Sequence, residues 1–162
     1  MTDAAAAGTE LVLDVFRING LFLAAGDDLA IAEGLTSARW QVLGAIALAH
    51  APLPVPQIAR RMGLTRQSVQ ASVNRLVADE MLAAEPNADH ARSPLFGLTE
   101  RGAAAYERLT IAQQDWIATL TADLPAADLQ AASRVLRTLS ARLTGTTATP
   151  QPHHHANRRT TT

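Results

Sequence analysis

Apolar residues along the chain fall into helical stripes, broken once by a short region of a different kind. From Thr9 to Glu33, the residues Leu11, Val15, Ile18, Phe22, Ala25 and Leu29 recur at alternating spacings of four and three. That rhythm places them on one face of a helix, close to a coiled-coil seam. Asn19-Gly20 interrupts the stripe and predicts a bend there. Gly34 closes it, in the position a helix end favours for glycine. A second helix starts at Leu35-Thr36-Ser37, where Thr36 or Ser37 can cap the free amides. Trp40, Leu43 and Ala47 form one stripe on it, with Val42, Ile46 and His50 beside them.

The next stretch, Ala51 to Pro56, holds three prolines, which remove donors and fix φ, so it is expected to be non-helical. Pro56 suits the first turn of a short helix, Gln57 to Met62, that Gly63 ends. Thr65 is a good N-cap for a further helix from Arg66 to about Glu80, with Val69, Val73, Leu76 and Val77 facing inward. Two helices joined by a tight glycine turn are the signature of a helix-turn-helix.

Beyond Met81 the rhythm changes. Leu82–Glu85 and Leu95–Leu98 read as short strands, and the residues between them, 86–94, are rich in turn formers. They predict a β-hairpin with a long tip, which depends on packing against helices for its stability. Thr99 then caps a long helix that carries Tyr106, Leu109, Trp116 and Leu120 on one stripe. Pro125 opens a last helix with Leu129, Ala132, Leu136, Leu139 and Leu143 in three–four alternation, and Gly145 is expected to stop it. The rest, 146–162, has no apolar period and reads as a disordered tail.

Composition narrows the class. With 48% hydrophobic residues in 162, the chain can bury a real core, and with only 4% aromatics that core must be aliphatic. Thirty-three alanines favour helix. No cysteine is present, which excludes disulfides, zinc–thiolate sites and thiol chemistry. No apolar run is long enough to span a bilayer and the N-terminus lacks a signal-peptide pattern, so a cytoplasmic protein without a membrane partner is expected. No carboxylate pair, glycine-rich phosphate loop or nucleophile–base spacing appears, so neither enzyme activity nor a cofactor is expected.

The stretches LTSARWQVLGAIAL, VPQIARRMGLTRQSVQASVNRLVADEML and NADHARSPLFGLTERG carry a resemblance. In this order and spacing they resemble the MarR family of winged helix-turn-helix transcription regulators, over about positions 35–102. The resemblance implies a mainly α fold with a small β-hairpin wing, built as an N-terminal dimerisation helix (9–34), a DNA-binding lobe (35–102) and C-terminal dimerisation helices (103–145). Two departures stand out. The family's wing carries Asp-x-Arg, whereas here Arg92 matches the arginine and His90 takes the aspartate position, with Asp89 one residue earlier. The family often has glycine where Met81 stands, which puts the turn after the second helix of the motif in question.

The resemblance implies roles for particular residues. Thr65, Arg66, Gln67, Ser68, Gln70, Ala71, Asn74 and Arg75 lie on the outward side of the second helix of the motif. In the major groove, Gln67, Ser68 and Gln70 would read base edges, Ala71 would touch a thymine methyl, and Arg75 would meet a phosphate. The competing view is a plain solvated helix face. Arg92 resembles the wing arginine that enters a narrow minor groove; the bland alternative is an arginine in water or paired with Asp89. His90 could gain charge below neutral pH, or be a passive turn residue.

From Val55 to Gly102, six arginines against five acids leave a single positive charge. So little charge implies modest affinity per subunit for double-stranded DNA, hence a homodimer on a pseudo-palindromic operator. The stripes of the first and last helices supply apolar seams for that dimer, although both could instead pack on the monomer's own core. Many members of the family bind a small aromatic or anionic effector between the dimer helices and the DNA-binding lobe. Arg39, Trp40, His50 and Tyr106 are the residues available for it here. His153-His154-His155 in a flexible tail does not preorganise a metal site, so no metal is expected. The resulting expectation is a transcription regulator, most simply a repressor relieved by a ligand. The alternative is a winged-helix module for protein–protein contact without an operator.

Overall fold

The computed structural model describes residues 3–146. The elements run α1 (Asp3–Ala30), a 3-10 turn (Ile31–Glu33), α2 (Ser37–Ala47), β1 (Leu53–Pro54), α3 (Val55–Met62), α4 (Arg66–Ala78), β2 (Leu82–Glu85), β3 (Leu95–Leu98), α5 (Glu100–Leu120) and α6 (Ala126–Thr146). This is a mainly helical fold with a small antiparallel sheet of order β1-β3-β2. Two compact units divide the chain between Ala118 and Thr119. The expected disordered tail and its three histidines lie outside the described residues, apart from Thr146 at the end of α6.

The core of the first unit is aliphatic. It is centred on α2, which buries Trp40, Val42, Leu43 and Ile46, so the helix is covered on most of its circumference. Ile58 and Ala59 of α3 pack on it, with Val69, Val73 and Leu76 of α4, each at 0% exposure. Phe96 and Leu82 of the sheet and Ala105 and Leu109 of α5 complete the cluster.

Several boundaries differ from the sequence expectation. α1 begins at Asp3 rather than Thr9 and runs unbroken through Asn19-Gly20. Solvated glycine in a long alanine-rich helix costs about 1 kcal/mol, too little to break it. The proline segment holds a strand, Leu53–Pro54, paired with Leu95 and Phe96, and α3 starts at Val55. A two-residue edge strand tolerates proline because its N–H side needs no partner. Gly145 lies inside α6, and does not stop it. α4 ends at Ala78, and the residue in glycine-like conformation is Glu80, with φ 56°, not the buried Met81.

The junction from wing to α5 shows why its residues are of these types. The Thr99 hydroxyl donates to the Glu80 carbonyl at 2.7 Å and accepts from the Gly102 N–H at 3.0 Å. Thr99 N–H donates to the Met81 carbonyl at 3.2 Å. A Cβ on Gly102 would overlap that same carbonyl, so only glycine lets the start of α5 approach the α4–β2 turn this closely.

α1 meets α2 just as closely. The Asp27 carboxylate accepts from Ser37 N–H at 2.6 Å and the Thr36 hydroxyl accepts from Arg39 N–H at 3.4 Å, so α2 is capped from two elements. Glu33 accepts a bidentate pair from Arg108 at 2.7 and 2.6 Å, which ties the 3-10 turn to α5. Hydrogen bonding to Arg108 holds the Glu33 carboxyl below the usual carboxylate range.

Candidate nucleic-acid interface and ligand cleft

Thr65 starts α4 as its cap: its side-chain oxygen accepts from Ser68 N–H at 3.1 Å. The helix is anchored by Val69, Val73 and Leu76, and this fixes which side faces out. Thr65, Arg66, Gln67, Ser68, Gln70, Ala71, Asn74 and Arg75 are all exposed. The Gln70 amide donates to Asn74 Oδ1 at 2.8 Å, which holds both side chains along the helix surface. Arg75 Nε contacts Asp79 at 3.1 Å and leaves the terminal nitrogens of a guanidinium that is 66% exposed.

His90 and Arg92 are exposed at the wing tip. No ion pair joins Arg92 to Asp89 among the described residues. Arg92 and Ser93 line a groove of about 370 Å³ together with Arg66, Gln67 and Gln70 of α4. Wing tip and the first turns of α4 therefore share one surface, with two guanidinium groups and no acidic residue lining it.

A second concavity, an open cleft of about 640 Å³, lies within the first unit. α1 supplies Asn19, Phe22 and Gly26, α2 supplies Trp40 and Gln41, α3 supplies Arg61, and α5 supplies Tyr106, Gln113 and Trp116. Phe22 and Trp116 meet edge to face, with centroids 6.0 Å apart. Trp40 and Tyr106 are on its wall. Arg39 and His50 are not among the lining residues. Arg39 turns instead to Asp79, at 3.3 Å, and to the Thr36 hydroxyl. His50 is exposed at the end of the α2 turn, with φ 53°. The charged residue on the wall is Arg61, which sequence reasoning passed over because it reads as an ordinary exposed helix residue. Trp116 and Phe22 were visible only as members of two separate stripes.

The profile of the MarR family matches residues 33–93, the stretch from the 3-10 turn to the wing tip. The chain belongs to the MarR family. An uncharacterized protein of Mycobacterium tuberculosis is 44% identical over 100 residues, which is 62% of this chain and 68% of that protein. Among solved structures, a mutant MarR from E. coli complexed with operator DNA has a TM-score of 0.72 at 22% identity, covering 85% of this chain and 99% of that one. A Staphylococcus aureus MarR in complex with salicylate and kanamycin has a TM-score of 0.74 at 17% identity, covering 86% and 94%. CouR from Rhodococcus jostii, bound to p-coumaroyl-CoA, has 0.70 at 17%, covering 78% and 88%. At these identities the structural likeness establishes the winged-helix fold of the MarR transcription regulators.

Proposed function

We propose that the protein is a homodimeric, sequence-specific DNA-binding transcription regulator of the cytoplasm, a repressor of pseudo-palindromic operators that a small ligand relieves. The observation that carries this reading is the free polar side of α4. Its inward side is fully buried and its outward side, Thr65 to Arg75, is exposed beside Arg92 of the wing. A helix fits the major groove, and the wing then reaches the adjacent minor groove. Gln67, Ser68 and Gln70 read bases, Ala71 packs on a methyl, and Arg66, Arg75 and Arg92 meet the backbone or the narrow groove.

Dimerisation is supported by apolar side chains left in water. Phe16 is 72% exposed on α1, and Leu129, Val135 and Leu136 are exposed on α6. Helices 9–34 and 103–145 then serve as the dimerisation elements and 35–102 as the DNA-binding lobe. Ligand relief is supported by the cleft. Aromatic walls (Trp40, Tyr106, Trp116 and Phe22), one cation and no lining acid suit a flat aromatic or anionic molecule. Arg61 belongs to the helix-turn-helix itself, so a ligand held there touches the element that docks on DNA.

Selection of bound sequences from random DNA with the purified protein tests the reading. An inverted repeat with half-sites about one helical turn apart is the expected result, and affinity for it should fall steeply with salt. Recovery of no enriched motif would overturn the operator and leave the winged helix as a protein–protein module.

A further inference from the structure

The wing tip has little to hold it in place. Between Glu85 and Leu95 it has no strand pairing, and most of its side chains are exposed. Its order comes from a ring of four hydrogen bonds, three of which Asn87 makes. The Asn87 Nδ2 group donates to the Ser93 carbonyl at 2.8 Å, across the loop. Asn87 Oδ1 accepts from Asp89 N–H at 3.1 Å, and the Asn87 carbonyl accepts from His90 N–H at 3.3 Å. Ser93 N–H closes the ring on the His90 carbonyl at 2.9 Å.

The side chain must therefore donate on one edge and accept on the other, and it is half-buried between the two limbs. A carboxylate of the same shape could accept but not donate, and would set its negative oxygen against the Ser93 carbonyl oxygen. A serine is too short to bridge both limbs. Arg92 immediately precedes Ser93, the residue the amide clamps. It has no ion pair with Asp89 or another acid among the described residues, so the ring of loop hydrogen bonds fixes where its backbone stands. That place is the groove shared with Arg66, Gln67 and Gln70.

We propose that Asn87 is the positioning residue for Arg92: it closes the wing tip before DNA arrives, so that the arginine and α4 engage the duplex as one surface. The inference rests on the DNA-binding reading above. Its physical basis is preorganisation, since a loop already ordered in the free protein loses less conformational freedom on binding.

The test is a double-mutant cycle on the selected operator, followed by fluorescence anisotropy, with limited trypsin digestion of the free protein beside it. Asn87→Ala and Arg92→Ala should each weaken binding about tenfold, the scale of one lost charge-assisted contact. The double variant should lose little more than either single one, because both changes remove the same interaction. Asn87→Asp, which keeps the acceptor but sets a carboxylate oxygen against the Ser93 carbonyl, should weaken binding at least as much as Asn87→Ala. In free Asn87→Ala, trypsin should cut after Arg92 faster than in wild type while the melting temperature stays unchanged. Wild-type affinity in Asn87→Ala, losses that multiply in the double variant, or an unaltered cleavage rate would each overturn the role of Asn87. A wild-type protein that selects no DNA motif defeats the DNA-binding reading itself, whereas an operator bound equally well by Asn87→Ala defeats only this inference.

Discussion

The lobe from Leu35 to Leu98 and the helix from Ala126 to Thr146 treat their apolar residues in opposite ways. In the lobe, Val42, Leu43, Ile58, Val69, Val73 and Leu76 are all at or below 1% exposure and pack on apolar neighbours within one chain, although Val77, expected to face inward, is exposed. In α6, no described residue is buried, although its leucines keep a helical stripe. Fully burying one leucine is worth roughly 1.5–3 kcal/mol. The lobe therefore draws its stability from itself, while the stripe of α6 gains its stability only when something covers it. On the proposed reading, a second copy of the chain does so.

The strongest way to probe the contrast is to damage each side and watch for concentration dependence. Leu43→Ala opens a cavity at the centre of the lobe and should cost about 2–5 kcal/mol. Calorimetry should show that loss at every protein concentration. Leu136→Glu places a charge on the α6 stripe and should leave the lobe's fold intact by circular dichroism. Sedimentation should show it shifting the dimer toward monomer by about a hundredfold or more, the scale of burying an unpaired polar group. An unchanged dimer would remove α6 from the interface.

A smaller effect sharpens the picture of the lobe. Glu80 sits at φ 56°, a conformation that costs a non-glycine residue about 1–2 kcal/mol. Glu80→Gly should therefore stabilise by about 0.5–1 kcal/mol once the greater freedom of glycine in the unfolded chain is subtracted. The smallest expected effect is on pH dependence. Because the Arg108 contact lowers the folded-state pKa of Glu33, its stabilisation is present above the ordinary carboxylate value and is lost as the pH falls through the lowered one. Acid titration of the melting temperature should show this loss in wild type, and Arg108→Ala should flatten that part of the curve.

The helix-turn-helix was legible in the sequence because its signals are local. Thr65 caps, Gly63 turns with φ 65°, and Val69, Val73 and Leu76 repeat with the helical period. The outward residues of α4 followed from the same period. The aromatic cleft was much less legible. Trp40 and Tyr106 stood out by residue type, but the place of Arg61 depends on α3 packing on α2 so that it faces the cleft α1 and α5 also line. Arg39 looked like an available cation, yet Asp79, forty positions away, holds it elsewhere. Strand β1 was hidden by prolines that only an edge position tolerates.

By itself the sequence determined which segments are helices, and that a helix-turn-helix with a hairpin wing lies between one long N-terminal helix and two long C-terminal ones. Those properties depend on caps, turns and periods within a few residues of one another. Tertiary structure alone decided that Gly102 lies against the Met81 carbonyl, that Arg39 pairs with Asp79, and that Arg61 faces the cleft. Each of these is a meeting of groups set by how whole elements pack, and short-range spacing holds no record of it.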